Sequence, residues 1–138
     1  MRLYIPTYLR AIVLAVALAL AGCSTADPLK TAQTLEQKAF ALYGTFVVYE
    51  EAGAEMILDP AVPDSVKVVI QQADSVAKPA ADILVTVARE TSVARAELAL
   101  IPSETFRDKL VAAIAALQRA YWSAKPKIDA LSLAVENL

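Results

Sequence analysis

The side chains that usually carry enzyme chemistry are scarce in this chain. Among 138 residues there is no His and a single Cys, Cys23. Without imidazole there is no Ser-His-Asp relay, and the commonest metal ligand is missing. One Cys makes neither an intramolecular disulfide nor a Cys-cluster zinc site. Ser103, Thr105 and Ser123 supply hydroxyls, but no Gly-x-Ser-x-Gly elbow surrounds them. No glycine-rich phosphate loop and no dinucleotide fingerprint occurs. The expectation is a protein that is not an enzyme, with no cofactor and no bound metal.

Two other groupings have chemical potential. Glu50, Glu51, Glu55 and Asp59 form an acidic run in which Glu51, Glu55 and Asp59 recur every four residues and share one helix face. Such a face could collect Ca²⁺ or Mg²⁺ through oxygen ligands, but a solvated helix end is the simpler reading. Like charges near a helix C-terminus also oppose the helix dipole. Phe40, Tyr43, Phe46 and Tyr49 recur every third residue. They would line a pocket for an apolar ligand or, more simply, form a bundle core with Tyr hydroxyls at its rim. Trp122, followed by Lys125 and Lys127, suits a partner surface or a membrane interface if exposed, and otherwise a half-buried cover for the bundle. Thirteen basic against 15 acidic residues and a pI near 5.1 disfavour nucleic acid as a partner.

The lone Cys acquires a role from its surroundings. Arg2 and Arg10 make the first ten residues basic, and 11–21 (AIVLAVALALA) is an unbroken apolar run. A spanning helix needs about 20 such residues, so the run reads as the hydrophobic region of a secretory signal. Leu20-Ala21-Gly22-Cys23 follows. This segment resembles the lipobox of bacterial lipoproteins. The resemblance implies a signal peptide over 1–22, cleavage by signal peptidase II before Cys23, and a diacylglycerol thioether on Cys23 with acylation (palmitate) of its new amino group. Two or three acyl chains hold a protein stably on a membrane. In the Gram-negative sorting pattern, Ser24 after the Cys implies the periplasmic face of the outer membrane, with the inner membrane as alternative. Removal of 22 residues leaves 116, with 11 basic and 15 acidic side chains and a net charge of −4.

The elements that would position these residues are helical. Ala supplies 23 of the 116 residues and only Gly44 and Gly53 remain, which favours packed helices over turn-rich β structure. Residues 23–27 form a lipidated tether. The domain proper, 28–138, is expected to be all-α: an up-down-up antiparallel three-helix bundle with Pro-kinked second and third helices. Asp27-Pro28 starts the first helix, about 28–57, with the stripe Leu35, Ala39, Leu42, Phe46, Tyr49, Gly53, Met56, widened by Phe40, Tyr43 and Val47. The second, about 64–98, is capped by Asp64 or Ser65. Its expected stripe is Val66, Val69, Ala73, Val76, Ala80, Ile83, Val87, fading at Glu90 and resuming at Ala94 and Leu98, with Pro79 inside. Ser103 caps the third, which carries Phe106, Leu110, Ala113, Leu117, Tyr121, Ala124, Ile128, Leu131 and Val135, with Pro126 inside. Residues 70–84 and 117–131 align with seven identities, sharing Ala-Lys-Pro-x-x-Asp-x-Leu.

These features point to a membrane-anchored periplasmic lipoprotein acting as a non-catalytic binding or structural module, attached through acylated Cys23 and partnered by an envelope protein. The alternatives are a carrier of a hydrophobic small molecule or lipid, and a phage- or prophage-related envelope lipoprotein. Self-association through spare heptad faces is a further expectation.

Overall fold

The computed structural model describes residues 27–137. They form three helices: α1, Pro28–Leu58; α2, Asp64–Leu100; and α3, Glu104–Glu136. Helices of 31, 37 and 33 residues span about 45–55 Å at 1.5 Å per residue. Each packs against the other two. The short connections make sequence neighbours antiparallel, so the expected up-down-up bundle is the fold.

The helix starts follow local chemistry. Asp27 accepts a hydrogen bond from the Leu29 N–H at 3.0 Å, with Pro28 at the first helical position. Ser103 accepts from the Phe106 N–H at 3.3 Å. At α2 the expected side-chain cap is not used: Pro63 occupies the cap position and Asp64 lies in the first turn. There its charge complements the N-terminal dipole without a capping bond. Both α2 and α3 continue as helix through Pro79 and Pro126. Neither helix is broken there, because both prolines sit on the outer face where a lost backbone bond is open to water.

The bundle has two apolar clusters. The larger is centred on Ala39, Phe46, Ala77, Leu84, Leu117, Ile128 and Leu131. The smaller contains Ala32, Ala94, Leu110 and Ile114. A full burial such as that of Phe46 or Leu84 stabilises by about 1.5–3 kcal/mol. Between the clusters lies a polar layer. Arg95 grips the Glu36 carboxylate with two 3.0 Å bonds, Nε to Oε1 and Nη2 to Oε2, while the Ser92 hydroxyl donates to Oε2 at 2.8 Å. Beside it the Thr91 hydroxyl donates to the Val87 carbonyl at 2.9 Å. Burial of Glu36 is unanticipated by the heptad pattern. The layer also explains why the α2 apolar pattern fades near Glu90.

Two expected faces require correction. On α2 the structure buries Ile70, Ala77, Ala81, Leu84 and Ala88, whereas Val69, Val76 and Ile83 are 52%, 52% and 58% exposed. Ala80 and Ala94 of the expected stripe are buried, but its Val69, Val76 and Ile83 face outward, and the core face lies one residue, about 100°, away from those three. Apolar residues occupy two neighbouring faces of α2. Close approach favours the face with Ala77, Ala81 and Ala88, because a methyl side chain lets helix axes draw together while branched side chains hold them apart. On α1, Phe40 and Val47 do not widen the core; both point outward. The α3 stripe is as expected, with Ile114 and Ala120 added to it.

Candidate functional site

Leu20, Ala21, Gly22 and Cys23 lie outside the described residues. Asp27, four positions beyond Cys23, is the first described residue, and it marks the end of the bundle at which the preceding residues join. That end also carries the α2–α3 connection. An open groove of about 620 Å³ lies between them, lined by Asp27, Leu29, Leu98, Pro102, Ser103 and Arg107 among others. Beside it, Leu100 is 82% and Ile101 59% exposed.

The expected partner surface is only partly assembled. Trp122 is 69% exposed, with its ring edge-on to Tyr121 at 5.5 Å between centroids. Lys125, one turn further on, is bound to Asp129 at 2.6 Å, and this hydrogen bond and charge hold its ammonium above the usual lysine range. Lys127 is half-buried on a different face of α3. Trp122 is instead continued by Val111 and Leu133, eleven residues to either side and both more than half exposed. A spacing of eleven residues is close to three full helical turns, so these three lie on one outer stripe. The exposed Val69, Val76 and Ile83 form the corresponding spare face on α2.

The aromatic run of α1 separates. Phe46 is in the core and Tyr43 packs against it at 6.1 Å between ring centroids. Tyr49 is half-buried and its hydroxyl donates to Glu136, which raises its pKa. Phe40 lies on the outside.

The acidic run separates too. Glu50 pairs with Lys78, Asp59 accepts from the Ala61 N–H at 2.8 Å, and Glu51 and Glu55 are exposed. No three metal-ligating side chains converge among the described residues. Ser75 and Lys78 stand at Ser-x-x-Lys spacing within α2. The Ser75 hydroxyl donates to the Gln72 carbonyl at 2.8 Å, and Lys78 is held by Glu50, so the two groups do not work together.

One polar group sits apart. Asp74 borders a small depression of about 160 Å³ with Glu50, Gly53 and Ile70, and its buried Oδ1 has no hydrogen-bond partner. Desolvation, reinforced by the Glu50 charge, raises its pKa above the ordinary 3.8. No helix among the described residues is long and apolar enough to cross a membrane. Comparison with protein-family models, with curated proteins and with solved structures gives no match.

Proposed function

We propose that this chain is a lipid-anchored protein of the bacterial envelope whose helical bundle binds or braces another envelope component without catalysing a reaction. The reading is carried by the resemblance of Leu20-Ala21-Gly22-Cys23 to a lipobox that is followed, four residues after the Cys, by a capped helix. A signal of that form ahead of a helical domain is the layout of a tethered module. Four residues reach at most about 14 Å, so the bundle would stand at the lipid surface and not on a long stalk. Ser24 favours the outer membrane, facing the periplasm, over the inner membrane. The exposed stripe of Val111, Trp122 and Leu133 supplies the kind of aromatic-centred surface on which protein partners dock.

The test is metabolic labelling with radioactive palmitate. Wild-type protein should incorporate label and partition with membranes, and Cys23→Ser should do neither. Equal labelling, or unchanged mobility and membrane fraction in Cys23→Ser, refutes the anchor. Crosslinking from position 122 in labelled cells then tests the docking stripe. A crosslinked envelope protein that disappears with Trp122→Ala supports it.

A further inference from the structure

We infer that the α2–α3 loop is a second membrane contact: Leu100 and Ile101 enter the lipid surface that holds the acylated Cys23. The inference rests on the proposed anchor and adds to it an orientation for the bundle.

Three observations converge on this end. First, Ala99, Leu100, Ile101 and Pro102 form an uninterrupted exposed apolar run, with Leu100 82% and Ile101 59% exposed. Neighbouring side chains do not cover them, although Leu98 just before them packs against the smaller cluster. Second, the run shares its groove with Asp27, so it lies at the end where the tether begins. A reach of at most about 14 Å leaves little water between this end and the headgroups. Third, charge is distributed unequally between the two ends. Near the loop, Asp27, Glu97, Glu104 and Asp108 stand against Lys30, Arg107 and Lys109, a net charge of −1, with Lys109 paired to Glu97. At the opposite end, Glu51, Glu55, Asp59, Asp64 and Glu136 gather with only Lys67 nearby. Leu58 is equally exposed there, but Asp59 follows it and Glu55 lies one turn before it, so its apolar run is interrupted by charge. Bacterial membranes carry anionic lipid, which repels the strongly acidic end more than the less charged, apolar one. The acidic α1 C-terminus, unfavourable for the helix dipole, thus gains a purpose as the end that faces away from the lipid.

The test uses the lipidated full-length product, reconstituted in vesicles of phosphatidylethanolamine and phosphatidylglycerol. In Ile101→Cys the introduced thiol is the only free one, because the Cys23 sulfur is alkylated. It is labelled with an environment-sensitive fluorophore, and Ala61→Cys in the opposite loop serves as the control. Emission at 101 should shift to the blue and be quenched severalfold more by spin-labelled lipids than emission at 61. Unshifted, unquenched emission at both sites overturns the inference, and so does equal quenching at both, which means a bundle lying flat. Failure of the anchor itself has a different signature, a Cys23 thiol that remains reactive in the purified protein. In that event the same two dye positions are read in a Cys23→Ser chain tethered to chelating lipid through an N-terminal His tag. There, too, quenching confined to 101 supports the loop contact and its lack overturns it.

Discussion

Replacing Arg95 by Met isolates the energetics of the polar layer. Glu36 is only 4% exposed, and both of its carboxylate oxygens are engaged by Arg95, with Ser92 as a third donor. Met keeps the apolar stem but removes the cation, stranding a buried charge. Breaking a fully buried pair costs about 3–5 kcal/mol. The Arg95 side chain is 36% exposed, so water reaches the pair and lowers that cost to about 2–3 kcal/mol. For a chain of this size the loss corresponds to a fall in Tm of about 8–12 °C. Glu36→Leu combined with Arg95→Met removes both charges and leaves hydrocarbon between two apolar clusters. It should recover most of the loss, and a small net gain is consistent with how such pairs behave. The assay is urea unfolding followed by circular dichroism on wild type, both single variants and the double. A cost below about 0.5 kcal/mol for Arg95→Met, typical of a surface pair, would refute the reasoning. A double variant as unstable as Arg95→Met alone would do the same, since the loss would then come from packing and not from a stranded charge.

Other outcomes follow from the same geometry. Gly44→Ala meets nothing within 4 Å and should stabilise by about 1 kcal/mol through helix propensity, whereas Gly53→Ala places a methyl 2.9 Å from Ile70 Cγ2 and should lose that gain or more; thermal melts of the pair decide it. Leu84→Ala should cost about 2–5 kcal/mol in denaturant unfolding and Ile83→Ala about 0.5 kcal/mol or less, and the reverse order would restore the rejected α2 face. Asp74→Asn should raise Tm at neutral pH. Its folded pKa is raised, so the carboxylate penalty is fully present above that pKa and vanishes as the pH falls below the unfolded value of 3.8. The advantage of Asn should therefore shrink on acidification, and a constant difference across the titration would exclude Asp74 as its source.

How much of this was visible in the sequence differs by helix. The α1 and α3 cores could be read because each offers one dominant apolar stripe, from Ala39 to Gly53 and from Leu110 to Leu131. For α2 the period is right and Ala80 and Ala94 are core residues, but Val69, Val76 and Ile83 fall on the wrong side, since hydrophobicity alone ranks them above Ala77 and Ala81. The internal repeat held the missing information. It aligns Ile70, Ala77, Ala81 and Leu84 with Leu117, Ala124, Ile128 and Leu131, and all eight are buried to within 1% of full coverage. Carrying the α3 face across the alignment would have fixed the phase of α2. Glu36 could not be found this way. Its partners Ser92 and Arg95 are 56 and 59 positions distant, and charge pairing at that range leaves no local periodicity. The candidate site divides likewise. Cys23 stands out by motif, whereas the exposed continuation of Trp122 through Val111 and Leu133 appears only once the outer face of α3 is known.

The polar layer also divides the bundle mechanically. It lies between a small cluster of Ala32, Ala94, Leu110 and Ile114 and the larger one that contains Phe46 and Leu84, with Leu35 packed against both. The small cluster lies nearest Asp27, so any pull transmitted from an anchored N-terminus would load the weaker half first. The opening turns of α1 can peel away at modest cost, and the Glu36–Arg95 clasp is the next obstacle in the path. Loaded from that end, the bundle would give way first at the small cluster and then at the larger one. Under tension the clasp is the latch between them.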